Sequence, residues 1–218
     1  MSQESPKVLW HYTDLNGMMG ILGTQTLRAS DISLLNDEKE YKLGINLVKH
    51  YLSSRFLTDY FLENEFKKEL YKKHIDSIVW QLDRWSYPRD FAFGKYVVSL
   101  SGAGDQLSQW RGYGNNGYAI CFEYDELKHD IKDNLELNSR KNNEVFELDR
   151  VSYVGVEYDI MQIEKIKKIF ERMAQMMEKG EDTKTIFSQS ELSDFLPIFS
   201  SYLKNKGFKE ENEYRIVV

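Results

Sequence analysis

The sequence predicts an α+β domain in which short strands, scattered from the first residues to the last, are separated by inserted helices. Two observations favour this class: β-type apolar runs lie near both ends and in the middle, and stretches with helical periodicity lie between them. A third is composition, since 41% hydrophobic residues with only 3 Pro and 13 Gly exclude disordered and repetitive classes. At 218 residues, we interpret positions 1–218 as one domain.

Charge and hydropathy argue against a broad nucleic-acid-binding face and against a membrane-spanning segment. The net charge of −6 argues against a broad basic face for nucleic acid. The N-terminus is polar, and no apolar stretch approaches the roughly 20 residues that span a bilayer, so no membrane contact is expected. The single cysteine, Cys121, lies in an apolar run and is predicted to be a small buried residue. We expect a cytoplasmic protein.

The N-terminal third is predicted to start with a strand over 8–12. Thr13 is a suitable N-cap for a following helix that ends at Gly23, which places His11 and Tyr12 at a strand-to-helix junction. A short strand is predicted over 26–30. Asp37 and Glu40 have capping-box spacing before a helix, and a second long helix is predicted to end before Pro88.

The middle of the chain is predicted to be a strand, a loop and a second strand. The strands cover 95–101 and 117–124, and in the loop Asp105 caps a short helix that runs through Arg111. Residues 126–150 are charged and weakly periodic, and we interpret them as a surface excursion.

The last third is predicted to alternate strands and helices. A strand over 151–158 precedes a helix whose Ile and Met residues form one apolar stripe. Ser188 and Glu191 have capping-box spacing for a further helix that is closed by Gly207. The chain then ends in a strand over 211–218.

Several common sites are excluded. The four histidines fit no zinc-ligand spacing, so no metal is expected. No GxSxG elbow supports a serine hydrolase, and Gly102-Ala103-Gly104 is not followed by the Lys of a P-loop.

Three groups of polar residues remain as candidate sites, each with a structural alternative. A His at the end of a strand, as in 11–13, suits a sugar hydroxyl but also a packed aromatic cluster. The loop 105–114 concentrates amides, rings and Arg111, which suits a phosphate clamp or a turn with a stacked Arg. Glu211 and Glu213 fall on one face of the predicted strand, which suits a cationic transition state or a soluble edge strand. Such like charges require a ligand, a cation or an Arg beside them.

Together these segments resemble the bacterial DUF2971 family. The residues that carry the resemblance are Leu9-Trp10-His11-Tyr12-Thr13, Leu27-x-x-Ser30-Asp31, Leu35-Asn36-Asp37-x-x-Glu40, Ser99-Leu100-Ser101, Asp105-Gln106-Leu107-x-x-Trp110-Arg111-x-Tyr113-Gly114, Gly117-Tyr118-Ala119-Ile120 and Glu213-Tyr214-Arg215. A more distant resemblance links the His-bearing first strand and the Glu-bearing last strand to ADP-ribosyltransferases of the His-Tyr-Glu and DarT-like classes.

This second resemblance implies an ADP-ribosyltransferase-like fold and roles for particular residues. His11 would contact a ribose of NAD, and Glu213 would steady the oxocarbenium-like transition state, with Glu211 beside it as the second catalytic carboxylate. Either Tyr41 or Tyr113 would stack on nicotinamide, Tyr41 being slightly favoured. The implied NAD-binding residues are His11, Tyr12, Thr13, Ser30, Tyr41, Trp110, Arg111 and Tyr113.

The implied function is transfer of ADP-ribose from NAD to a protein or nucleic acid, as in a bacterial toxin or anti-phage effector. NAD would be a substrate, and neither the acceptor nor the oligomeric state follows from the sequence. Two alternatives stay open: a non-catalytic module that binds a nucleotide or protein, and an NAD glycohydrolase. The enzyme hypotheses predict that His11 and Glu213 open into one cleft, and that Arg111 meets a ligand phosphate or a C-terminal carboxylate.

Overall fold

The computed structural model of the chain describes residues 5–32, 40–61, 64–85, 95–114, 117–142, 147–155 and 157–218; the side chains of 40, 41 and 134–142 are not among the described groups. Its contacts fall into two compact units, each built from separate stretches of chain. The sheet unit comprises residues 1–35, 94–153 and 204–218, and the helical unit comprises 36–93 and 154–203. The predicted mixture of strands and inserted helices is confirmed.

The strands and helices are numbered in chain order. The strands are β1 (Val8–Thr13), β2 (Ser30–Asp31), β3 (Tyr96–Ser101), β4 (Tyr118–Glu123), β5 (Glu147–Arg150), β6 (Ser152–Val154), β7 (Leu203–Asn205) and β8 (Glu213–Val217). The α-helices are α1 (Leu15–Thr24), α2 (Glu40–Tyr51), α3 (Leu57–Phe61), α4 (Glu65–Trp85), α5 (Leu107–Gln109), α6 (Tyr124–Asn142), α7 (Glu164–Glu178), α8 (Thr183–Gln189) and α9 (Leu192–Ser201). Short 3₁₀ segments cover Ile160–Gln162 and Lys206–Glu211, and π-helical turns cover Leu52–Phe56 and Trp110–Gly114.

The sheet unit is built on one antiparallel sheet of order β4-β1-β3-β8-β5, with β2 also paired to β3. The first and last strands therefore flank the same central strand, β3, and do not pair with each other. A separate two-stranded sheet pairs β6 with β7.

One face of the large sheet is apolar. Alternate residues of antiparallel strands point to the same side, so apolar side chains from four strands meet on this face. Its buried core includes Leu9, Leu100, Leu148, Tyr214 and Ile216. Burial of these side chains is the main favourable term for this unit.

The helix α6 packs on this core and corrects the predicted surface excursion over 126–150. Leu127 and Ile131 are four residues apart, so they lie on one helix face, and both contact the core. The segment contains Leu, Lys, Arg and Glu, which favour helix, although Asp and Asn residues lie among them. Residues 147–150 then enter the main sheet as β5.

The helical unit has its own core. The predicted apolar stripe of α7 is confirmed, with Phe170, Met173 and Met177 almost fully buried. Gly44 of α2 allows a close approach to α9, since a Cβ at this position would lie 2.3 Å from the Ser200 hydroxyl.

Several predicted details are wrong. Asp105 does not cap the short helix α5, because the N-cap residue is Gln106 and no side chain caps it. Thr13 stays in β1 and pairs with Tyr118, so Asp14 caps α1 by accepting the Gly17 N–H at 2.7 Å. From the strand predicted over 26–30, only Ser30 pairs, and β2 continues to Asp31 beyond that range. Cys121 is exposed, because it pairs with Trp10 and so lies on the face of β4 that is opposite to the Leu9 core.

The capping box at Ser188 is also wrong, because the helix ends at Gln189 and a new one starts after Glu191. That new helix ends at Ser201, before the predicted stop at Gly207. The Glu191 backbone is left-handed and makes no side-chain cap; its carboxylate instead pairs with Arg172. The predicted cap at Asp37 and the helix end at Pro88 lie outside the described residues. Within the described residues, no helix is long and apolar enough to cross a membrane.

Candidate functional site

The second face of the sheet is polar at the end where β1, β3 and β8 meet. Trp10 pairs with Ser101, and Ser101 pairs with Glu213, so these three side chains share a face. Ser99 and Arg215 form the next pair on the same face. Strand β8 has Tyr214 and Ile216 on its apolar face and Glu213 and Arg215 on the other. The charged residues therefore lie on the opposite side of the sheet from the apolar core.

Glu213 is the centre of this polar face. Arg215, two residues along β8, binds it with both arms of its guanidinium: Nε lies 2.7 Å from Oε1 and Nη2 lies 3.1 Å from Oε2. Lys204 of β7 adds a third contact, with Nζ 3.0 Å from Oε2. The backbone N–H of Glu213 donates to the Tyr153 hydroxyl at 2.8 Å. The carboxylate is thus held in one orientation.

These contacts keep Glu213 ionised although only 5% of the residue is exposed. Burial opposes the charge and would raise the pKa of Glu213, but the charge and hydrogen bonds of Arg215, then Lys204 and the Ser99 side chain, outweigh it. The net effect holds the pKa of Glu213 below its usual value of 4.5.

Glu211 reaches the same group by a different route from the predicted one. It ends the 3₁₀ segment Lys206–Glu211 and precedes β8, so strand alternation does not align it with Glu213. The Lys204 ammonium brings the two carboxylates together instead, with Nζ 2.7 Å from Glu211 Oε2. The Ser101 hydroxyl donates to the Glu211 carbonyl oxygen at 2.8 Å.

The positive charge that Glu211 and Glu213 require beside them is therefore present, but Arg111 does not provide it. Lys204 and Arg215 carry that charge, while Arg111 is exposed on the π-helical turn. The predicted bond between Arg111 and a C-terminal carboxylate is wrong, because a residue on the same strand and a buried lysine are already in place.

His11 does not share the face of Glu213. Trp10 and Glu213 lie in one row of the sheet, and the next side chain of β1 points to the other side. His11 and Glu213 are also separated by β3. The prediction that both side chains open into one cleft is therefore wrong for this sheet register.

His11 has a structural partner of its own on β3. Its Nδ1 lies 3.2 Å from the Ser99 carbonyl oxygen, and because a carbonyl only accepts, Nδ1 carries the proton. On that edge of β3, Ser101 pairs with β1 and Val97 pairs with β2. At Ser99, between these two pairs, the His11 imidazole supplies the hydrogen bond to the carbonyl oxygen. Burial lowers the pKa of His11, and the Ser99 hydrogen bond only partly opposes this.

The loop between β3 and β4 lies against β1 through aromatic contacts. The Tyr12 hydroxyl donates to the Ala103 carbonyl at 3.0 Å and accepts the Gln106 N–H at 3.2 Å. The Trp110 ring meets Tyr12 edge-on at 4.8 Å, and its indole N–H donates to Asp105 at 3.0 Å. Tyr12 is buried, so its ring is part of the loop packing.

Two residues beside this region have a left-handed backbone, as Gln25 and Glu191 do elsewhere in the chain. Asp105 and Asn212 have φ values of 54° and 45°, the left-handed region that few side chains adopt. They border the same strand ends, since the Gly102 N–H donates to the Asn212 carbonyl at 2.8 Å. A π-helical turn follows at Trp110–Gly114. Both kinds of feature concentrate at functional sites.

The other predicted binding residues are not gathered at Glu213. Thr13 alternates with Tyr12 and so follows the side of His11, while Ser30 is exposed on β2. Tyr113 is 42% exposed on the π-helical turn. Tyr41 belongs to α2, and its side chain lies outside the described groups.

Sequence reasoning missed three residues of the site: Lys204, Arg215 and Tyr153. Arg215 could have been found, because it stands two residues after Glu213 and must share its strand face. Lys204 and Tyr153 come from distant segments, and no local pattern identifies them.

The fold and site define a mixed α/β protein whose antiparallel sheet carries a buried group of paired charges on its polar face. A family model described as DUF2971, a protein of unknown function, matches residues 109–216. The chain belongs to the DUF2971 family. The matched range contains Lys204, Glu211 and Glu213, whereas His11 and Ser30 precede it. None of the curated proteins and none of the solved structures gives a significant match.

Proposed function

We propose that this protein transfers ADP-ribose from NAD to an acceptor at the polar sheet face around Glu213. The observation that carries the proposal is Glu213 itself, a buried carboxylate that stays ionised beside Glu211. Burying a charge is unfavourable, so a carboxylate kept ionised in a protein interior is a candidate for catalysis.

The main requirement of this reaction is that the protein stabilises the positive charge of the transition state. The bond between the ribose C1′ and the nicotinamide nitrogen breaks, its electron pair leaves with nicotinamide, and the acceptor forms a new bond to C1′. Nicotinamide departs neutral, so no general acid is required. Positive charge develops on the ribose, and a fixed carboxylate stabilises it. In this scheme Glu213 does so, and Glu211 takes the proton that the acceptor loses.

The hydroxyls on the same face support this assignment. Ser99 and Ser101 stand on β3 in the rows of Arg215 and Glu213, and the Ser99 side chain is hydrogen bonded to Glu213. Trp10 belongs to the same face and offers an aromatic surface. His11 is not included in the proposed centre because it points to the other side.

A second candidate function is a module that binds a nucleotide or protein without turnover. The observation that favours it is the engagement of Glu213, whose two carboxylate oxygens are both held by cations in a residue that is 5% exposed. A carboxylate so compensated has less charge to offer a cationic transition state.

The deciding experiment measures nicotinamide release from NAD by the purified protein, with and without cell extract. Release that requires extract supports a transferase, and release without it supports an NAD glycohydrolase. If neither condition gives release and NAD does not raise the melting temperature, the non-catalytic module is supported instead.

The Glu213→Gln variant tests whether Glu213 is the catalytic carboxylate. It keeps size and removes charge, so nicotinamide release should fall by about 10²-fold or more while the dissociation constant of NAD changes little. Glu210→Gln, in the exposed part of the 3₁₀ segment, is the matched control and should keep the wild-type rate. Circular dichroism verifies folding of both variants. A Glu213→Gln protein with the wild-type rate would show that the catalytic carboxylate lies elsewhere.

A further inference from the structure

Lys204 is a buried cation that the scheme above does not use. The residue is 3% exposed, and its ammonium lies between Glu211 and Glu213, at 2.7 Å and 3.0 Å from their carboxylates. The Phe208 ring centroid is 5.2 Å from the same nitrogen. A buried ammonium needs such partners to stay charged.

Lys204 is not required to satisfy Glu213 alone. Arg215 already contacts both oxygens of that carboxylate in the paired geometry that guanidinium favours. The Glu211 carboxylate has a different environment, in which Lys204 is the cation at ion-pair distance among the residues that the structure describes. What Lys204 adds is therefore a link between the two acidic side chains.

The link has a consequence for geometry. The Glu211 backbone is fixed by the Ser101 hydroxyl, but its side chain would be repelled by Glu213 without a cation between them. Among these four side chains, Lys204 and Arg215 match the charges of Glu211 and Glu213, and loss of Lys204 would leave one negative charge in excess.

We propose that Lys204 is a positioning residue that holds Glu211 beside Glu213 and so sets the acidic pair for ADP-ribosyl transfer. This inference rests on the proposed function, and it assigns to Lys204 the arrangement of Glu211 and Glu213. Lys204 touches the two carboxylates, and it acts on the reaction through them.

The test compares Lys204→Met, which keeps length and removes charge, with Lys209→Met in the nearby 3₁₀ segment, where the side chain is exposed. In Lys204→Met, kcat for nicotinamide release should fall by about tenfold or more, with NAD affinity changed by less than about threefold. The acid limb of the kcat profile should move to higher pH, because Glu213 loses a neighbouring cation. Lys204→Arg should restore part of kcat, and Lys209→Met should match the wild type.

A second readout does not depend on turnover. Carboxyl NMR follows the ionisation of Glu213 in each variant, and the midpoint should rise in Lys204→Met and stay unchanged in Lys209→Met. If Lys204→Met does not fold, the same two readouts are taken in Lys204→Gln, which also removes the charge, and a displaced acid limb and Glu213 midpoint are expected there.

The outcomes separate the two proposals. A wild-type protein that never releases nicotinamide overturns the proposed function, and the NMR titration still tests the role of Lys204. An unchanged Glu213 midpoint in Lys204→Met overturns that role. So does a Lys204→Met protein that melts earlier but keeps the wild-type kcat and pH profile, since Lys204 would then only stabilise the fold.

Discussion

At the scale of single residues, the main sheet shows how neighbours decide the charge of an ionisable group. Burial disfavours the charged form of both Glu213 and His11. Two cations outweigh this effect at Glu213 and keep it charged, whereas His11 has a carbonyl as its partner and is favoured as the neutral ring. The same opposing effect therefore leaves one group charged and the other neutral.

The lowered pKa of His11 predicts a pH-dependent stability. Below its unfolded value of 6.5, the unfolded chain binds a proton that the folded chain resists, so the free energy of unfolding falls as pH decreases through that range. His11→Asn keeps a donor near the Nδ1 position and cannot titrate. Urea denaturation at about pH 7.5 and about pH 5.5 should show a smaller loss of stability in this variant than in the wild type.

His129→Asn is the control, because the His129 side chain is 72% exposed on α6. It should lose as much stability on acidification as the wild type. Equal pH dependence in His11→Asn and the wild type would contradict the assignment. The His11→Asn protein also tests the resemblance, since a side chain on the far face from Glu213 should leave NAD affinity unchanged.

At the scale of elements, the connection between β3 and β4 is shaped by close backbone contacts. A Cβ on Gly117 would lie 2.2 Å from the Thr13 carbonyl oxygen and 2.3 Å from that of Gly114. Both neighbours are backbone atoms, which cannot rotate away. The entry into β4 therefore depends on glycine at this position.

Gly117→Ala is accordingly expected to destabilise the protein by about 1–3 kcal/mol, the usual range for overpacking. Gly112→Ala is the matched control, because a Cβ at that helical position would have no neighbouring atom within 4 Å. It should be neutral or slightly stabilising. Urea denaturation of both variants measures the difference, and equal stabilities would refute the close contact.

Elements also show what sequence patterns can and cannot predict. The strands at 8–13 and 96–101 and the stripe of α7 were predictable, because each is defined by periodicity within a short window. The helix α6 was missed since two apolar residues, Leu127 and Ile131, define its buried face among many charges. For the site, local spacing indicated Glu211 and Glu213, but their cation Lys204 is contributed by another segment, so only the folded chain reveals it.

For the molecule as a whole, strand β8 is as central as any other. All five of its residues are buried, and it pairs with β3 on one side and β5 on the other. Removing it leaves two strands with unpaired edges and opens the apolar core, which contains Tyr214 and Ile216.

A chain truncated after Asn212 should therefore have no cooperative thermal transition and should aggregate. Ile216→Val, which keeps the strand, is the control and should melt cooperatively with a loss of about 0.5–1.5 kcal/mol. Circular dichroism melts and the soluble fraction distinguish the two. A sigmoidal wild-type melt from the truncated chain would show that β8 is dispensable.

The order of the sheet also matters while the protein is being synthesised. The strands β1 and β8, which are translated some 200 residues apart, flank the same strand β3. A ribosome that translates from the N-terminus cannot release the second partner of β3 until it has passed residue 217. During that interval β3 offers an open hydrogen-bonding edge beside an unfinished core, the condition in which nascent chains associate with one another. We therefore expect the growing chain to depend on chaperone binding until β8 emerges, and stalled or prematurely ended translation to yield aggregates instead of partly folded protein.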